Sequence, residues 1–145
     1  MSLTRRSFLA ASLAASAAPL FAQQAPALLP AAKGRRVVIV GGGWGGLSAA
    51  RHLRALAPKL DVVLLERNPS FFSMPLSNKW LAGLVDGKLL AHDTRAAAQA
   101  YGYSFLQAEV GAVDRERRRV HTAQGTVDYD WLVLAVGIRH DYAAW

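Results

Sequence analysis

Val37-Val38-Ile39-Val40-Gly41-Gly42-Gly43-Trp44-Gly45-Gly46 is the stretch that decides the fold. Four apolar β-branched residues run without a break into a glycine cluster. Such a run suits a strand buried on both faces, and the glycines suit a turn that no side chain could make. Downstream, Ala49, Leu53 and Leu56, with Ala50 and Ala57, recur at spacings of three and four, while Arg51 and Arg54 take the opposite side. That periodicity predicts a helix ended by Pro58. Asp61-Val62-Val63-Leu64-Leu65-Glu66 then reads as a second buried strand. Strand, helix and strand make one right-handed crossover unit, and hence a parallel α/β sheet of Rossmann type.

Within the turn, Gly41, Gly43 and Gly46 fit G-x-G-x-x-G, and Glu66 follows about twenty positions later at the end of the second strand. Each residue has a physical task in binding a dinucleotide. Gly41 permits the tight turn, Gly43 lets backbone approach a pyrophosphate, and Gly46 allows helix and sheet to pack closely. The helix start offers unpaired N–H groups and partial positive charge to the phosphates. Glu66 can accept hydrogen bonds from the adenosine ribose hydroxyls and would repel a 2′-phosphate, which disfavours NADP. Gly42, Trp44, Gly45 and Arg67 sit beside these positions and join the candidate cofactor contacts. Trp44 either shields the pyrophosphate or packs under the helix.

Further along, Phe71 to Asn78 is aromatic and irregular, with a short helical piece expected from Lys79 to Leu84. A helix from His92 to Tyr101 and a strand from Tyr103 to Val110 should follow. Arg117 to Thr122 and Thr126 to Tyr129 flank Ala123-Gln124-Gly125 and read as a β-hairpin. Trp131 to Val136 is the last expected strand, stopped by Gly137. Residues 35–145 thus form the N-terminal part of a dinucleotide-binding domain: an incomplete α/β Rossmann-like fold with a hairpin.

The start of the chain differs in kind. Arg5-Arg6 precede a stretch rich in Ala, Ser and Leu that runs to Ala22, followed by a loose Gln, Pro and Ala segment. Residues 1–27 resemble a twin-arginine signal, with Ala10 where lysine is usual, and cleavage is expected after Ala22 or Ala27. Residues 28–34 read as a linker. The signal implies export to the periplasm after folding, a route that suits a protein whose cofactor is inserted in the cytoplasm.

The chain carries 17 Lys and Arg against 10 Asp and Glu for a net charge of +7. Only Arg115 to Arg119 is dense in charge; it reads as a solvated hairpin arm or a dock for an acidic partner. No groove-reading motif accompanies the charge, so nucleic acid is not expected. With no cysteine in the chain, thiol chemistry needs residues from elsewhere and redox chemistry needs a borrowed cofactor. His52, His92, His121 and His140 lack metal-ligand spacing, and no metal site is expected.

Tyr129-Asp130-Trp131-Leu132-Val133-Leu134-Ala135-Val136-Gly137 is similar to a second flavoprotein signature, with Val136 in place of the usual Thr or Pro. Together with Gly34 to Gly43, Glu66-Arg67-Asn68-Pro69 and Phe72 to Asn78, it makes residues 34–145 resemble the flavoprotein subunit of flavocytochrome c sulfide dehydrogenase and sulfide:quinone oxidoreductase. The resemblance implies FAD held by the Gly41–Gly46 loop, Glu66, the Val110 backbone, and Ala135 and Gly137 at the last strand's end. It also implies electron transfer from sulfide or another reduced sulfur compound to a c-type cytochrome subunit or quinone. The flavin-linking cysteine of many flavocytochrome members falls at Met74, which implies noncovalent FAD. The redox cysteine pair of that family would lie past residue 145, so the 145 residues alone are expected to be inactive. An NADH dehydrogenase-like flavoprotein and a truncated, non-catalytic dinucleotide-binding module are the alternatives.

Overall fold

The computed structural model describes residues 25–138 and Ala143. The leader up to residue 24, and with it the twin-arginine motif, as well as His140, lies outside the described residues. A parallel sheet in the order β5-β2-β1-β9 forms the middle layer. β1 (Arg36–Val40) pairs with β2 (Asp61–Glu66) through Val37 opposite Val62 and Val40 opposite Leu65. On its other side β1 pairs with β9 (Trp131–Leu134), Val37 facing Trp131 and Val40 facing Leu134. β5 (Ser104–Gln107) closes the far edge against β2.

Alternation along β1 and β2 decides which layer each side chain joins. Val37, Ile39, Val62 and Leu64 face α1 (Trp44–Leu56) and α3 (Thr94–Tyr101), with Ala50, Ala98 and Tyr103 in the same cluster. Burial raises the Tyr103 hydroxyl above its ordinary pKa. Val38, Val40, Val63 and Leu65 face the opposite way, onto Val120 and Val127 of a three-stranded antiparallel sheet. That sheet consists of β6 (Val110–Asp114), β7 (Arg119–Thr122) and β8 (Thr126–Asp128). Helices, parallel sheet and antiparallel sheet therefore stack as three layers, which explains why β1 is buried along its whole length.

Five expectations change in detail. The strand expected from Tyr103 to Val110 is two strands, because the chain leaves the parallel sheet after Gln107 and enters the antiparallel one at Val110. The hairpin gains β6 as a third strand. The helix expected from His92 begins at Thr94, since Asp93 caps it by accepting from the N–H groups of Arg95 and Ala96 at 2.7 and 3.2 Å. Residues 91–93 instead form β4 (Ala91–Asp93), a ribbon with β3 (Ser70–Phe72). Finally, the helix placed from Lys79 to Leu84 is the shorter α2 (Ser77–Leu81).

Leu56 and Arg54 exchange the roles their spacing suggests. Leu56 is 82% exposed. Arg54 folds back over the helix end, its Nη1 donating to the carbonyls of Pro58 and Leu60 at 2.8 and 2.7 Å.

The segment read as a linker packs on the domain. Leu28 and Leu29 cover the cluster around Val120 and Val127, and Pro30 accepts a hydrogen bond from Arg36 Nη2 at 2.8 Å. At the opposite end of the antiparallel sheet, the arginine-rich turn is internally paired. Asp114 accepts from the Arg117 backbone N–H at 2.9 Å and from its guanidinium at 3.0 Å, and the backbone bond foremost holds its carboxyl below the usual range. Arg119 donates to Asp128 at 2.5 Å, so the turn is less bare than its sequence suggests.

Candidate dinucleotide site

The sheet's strand order reverses beside β1: the chain steps outward to β2 and β5, then returns to β9 on the other side. Ligands of open α/β sheets bind outside the carboxyl ends of the strands at such a switch point. A cleft of ≈ 700 Å³ opens there, lined by residues 40–43, 65–72, 108–110 and 136.

The glycine turn explains its own composition. Gly41 has φ +107°, and a Cβ there would stand 2.3 Å from the Ala135 carbonyl oxygen. At Gly46 a Cβ would stand 1.8 Å from the Gly41 oxygen, so the first turn of α1 rests directly on the loop. By contrast, a Cβ at Gly43 meets nothing within 4 Å. The two flanking glycines are required by the fold, whereas Gly43 borders open space in which a ligand can approach backbone. Gly43 is also the N-cap of α1 and offers no side chain to it, which leaves the first helical N–H groups to a ligand.

Glu66 is bound into the loop rather than free at the strand end. Its Oε2 accepts the Gly42 N–H at 2.7 Å, and its Oε1 accepts the Asn68 N–H at 2.8 Å. Gly42 is needed for this approach, because a Cβ there would lie 2.7 Å from Glu66 Cγ. The carboxylate is thus held at the cleft wall with lone pairs left over for ribose hydroxyls.

Among the sequence-derived candidates, Gly41, Gly42, Gly43, Glu66, Arg67 and Val110 line the cleft. Trp44, Gly45, Gly46, Ala135 and Gly137 do not, although Ala135 supports the Gly41 turn and Gly45 sits over Ala135. Trp44 is 57% exposed and meets Phe71 edge-on at a centroid distance of 5.2 Å, so it is not packed under the helix. Sequence reasoning missed Asn68, Phe71, Glu109 and Val136 as lining residues. Glu109 pairs with Arg67 at 3.3 Å across the cleft wall. Met74 lies outside the lining and is 62% exposed, at the start of a short 3₁₀ turn.

The parallels with known proteins agree with this geometry. Residues 35–143 match the family model described as "Pyridine nucleotide-disulphide oxidoreductase". A type II NADH:quinone oxidoreductase of Staphylococcus haemolyticus is 27% identical over 109 residues, covering 74% of this chain and 27% of that protein. Among solved structures, the sulfide:quinone oxidoreductase of Aquifex aeolicus superposes with a TM-score of 0.70 at 27% identity, over 74% of this chain and 25% of that one. Putidaredoxin reductase, in its covalent complex with putidaredoxin, gives 0.62 at 35% identity, over 74% and 27%. The chain therefore spans about a quarter of the length of these relatives. With the family model matched over residues 35–143, the chain belongs to the pyridine nucleotide-disulphide oxidoreductase family.

Proposed function

We propose that residues 35–145 supply the FAD-binding part of an exported, flavin-dependent oxidoreductase that takes electrons from sulfide or a related reduced sulfur compound and delivers them to a c-type cytochrome or quinone. The observation that carries the cofactor reading is Glu66, held by Gly42 and Asn68 beside a glycine loop with open space at Gly43. When bound, FAD supplies reversible two-electron chemistry that no side chain of this cysteine-free chain possesses. The protein's part is binding and orientation. The N–H groups at the start of α1 would hold the pyrophosphate, Glu66 would hold the adenosine ribose, and Val110 and Val136, which line the cleft, would border the remainder, with Ala135 supporting the Gly41 turn from behind.

Replacing Glu66 by Ala is expected to weaken FAD binding by about 1–3 kcal/mol, since a charge-assisted hydrogen bond is lost. Titration of the full-length apoprotein with FAD, followed by flavin fluorescence, measures this. An unchanged dissociation constant would remove Glu66 from the site.

Sulfide as donor is supported by the resemblance of Phe72 to Asn78 and by the similarity to the Aquifex aeolicus enzyme. NADH as donor is the second reading, supported by the staphylococcal relative. Anaerobic mixing separates them: bleaching of the flavin absorbance by sulfide but not NADH is expected. Bleaching by NADH alone would establish the second.

Met74 stands where the resemblance puts the flavin-linking cysteine. A thioether has no thiolate with which to form a link to the flavin, so FAD should be noncovalent. After acid denaturation and centrifugation the yellow colour is expected in the supernatant. Colour left in the pellet would contradict this assignment.

Export by the twin-arginine route to the periplasm belongs to the same proposal and is supported by Arg5-Arg6 and the apolar stretch after them. Changing both arginines to lysine should leave the protein in the cytoplasm, as cell fractionation would reveal.

A further inference from the structure

Two small-residue positions compete as the point where the leader is removed, after Ala22 and after Ala27. Local sequence prefers the second, because Ala25-Pro26-Ala27 is an A-x-A tripeptide. The fold opposes it. Thr126 N–H donates to the Pro26 carbonyl at 2.8 Å, and Leu28 N–H donates to the Thr126 carbonyl at 2.8 Å. Ala27 lies between them in a parallel bridge with Thr126. Gly125 makes room for this crossing: a Cβ there would stand 2.3 Å from the Pro26 oxygen and 2.8 Å from Leu28 Cδ2. The side chains of Leu28 and Leu29 are seated on the second core cluster, and Arg36 holds Pro30. Residues 26–30 are thus bound to the domain at three backbone positions and by two apolar side chains.

A peptidase needs its substrate chain extended and accessible on both sides of the cut, which is why cleavage concentrates at poorly tied termini. A protein exported already folded presents the Ala27–Leu28 bond with its neighbours paired to Thr126. Opening it would require release of the two backbone hydrogen bonds and of Leu28 and Leu29 from the core.

We propose that the leader is removed after Ala22 and that residues 23–30 stay on the mature protein, with residues 26–30 held on the domain by the bonds of Pro26 and Leu28 to Thr126 and of Pro30 to Arg36. The inference rests on the exported, twin-arginine reading made above. In the cleavage, water adds across the Ala22–Gln23 peptide bond, leaving a carboxylate on Ala22 and an amino group on Gln23.

The test is to express the protein with its own leader in a bacterium with a working twin-arginine pathway, recover the periplasmic fraction and determine the N-terminus by intact mass and sequencing. A single terminus at Gln23 is expected. A terminus at Leu28 would overturn the proposal while leaving the export reading in place. Full-length, uncut protein confined to the cytoplasm would overturn both. A variant, Ala22→Leu, places a bulky residue where the peptidase requires a small one. It should accumulate as exported but uncut precursor, and a shift to a Leu28 terminus in that variant would equally overturn the proposal.

Discussion

Adding one methyl group at Gly46 is expected to destabilise the domain strongly, whereas adding a whole isopropyl group at Gly43 is expected to leave it stable and unable to bind FAD. Gly46→Ala puts a Cβ 1.8 Å from the Gly41 oxygen, with Ile39 Cγ2 at 3.4 Å on the other side. Neither is a flexible side-chain tip; the oxygen belongs to a turn that is itself wedged against Ala135. Helix α1 must lift off the sheet, and overpacking of this kind costs about 3 kcal/mol or more. That is a large share of the stability of an ordinary domain. Gly43→Val meets open space and an ordinary negative φ of −80°, so it should cost little in stability. Its branched side chain would stand where a pyrophosphate must approach backbone. Urea unfolding and FAD titration of both full-length variants separate the two effects. Loss of stability at Gly43, or a stable Gly46 variant, would show that the fold and ligand roles of these glycines have been misassigned.

A second large effect is expected at Asp61. Arg36 has a side chain only 8% exposed, and its Nε donates to Asp61 Oδ2 at 2.7 Å while its Nη2 holds Pro30. Removing one partner of such a pair leaves a desolvated charge, which costs more than the pair itself contributes. Asp61→Ala should therefore destabilise the domain by about 2–3 kcal/mol, the value being tempered by the partial exposure of the Asp61 side chain. Arg36→Met should cost less, since it removes the charge instead of stranding it. A double-mutant cycle read by urea unfolding decides the matter. If the two single changes were equal and additive, the ion pair would carry no coupling and the argument would fail.

How much of this was legible in the sequence follows from the range of each interaction. β1, α1, β2 and the glycine turn are visible because their patterns are local and redundant: four consecutive apolar residues, a three-and-four spacing, and glycines where Cβ atoms have no room. β3 and β4 were missed because each has three residues, mostly exposed, and Asp93 and His92 give no apolar alternation. The break between β5 and β6 was hidden for the opposite reason. Ala108 and Val110 continue an apolar texture although the chain is changing sheets, and Ala108 is buried between the layers. Glu66 is legible as the acidic end of the second strand, but its grip on Gly42 and Asn68 depends on loop geometry that spacing does not encode. The packing of residues 26–30 was likewise invisible, since a Leu-Leu-Pro segment after an alanine-rich leader carries no periodic signal.

The pairing of β1 with β9 also sets the order in which the domain can be completed. Arg36 N–H donates to Asp130, 94 residues away, and the Gly41 turn is closed by Ala135. Closing a chain loop of that length costs about 4 kcal/mol before any contact repays it. During synthesis the first crossover unit emerges early, but the wall that steadies its glycine turn is made only when the ribosome has passed residue 135 and released it. Cofactor capture then waits until the chain has emerged beyond residue 135. A pause or truncation ahead of Trp131 would leave β1 with one bare edge and a turn lacking its support, a species for chaperones rather than for flavin.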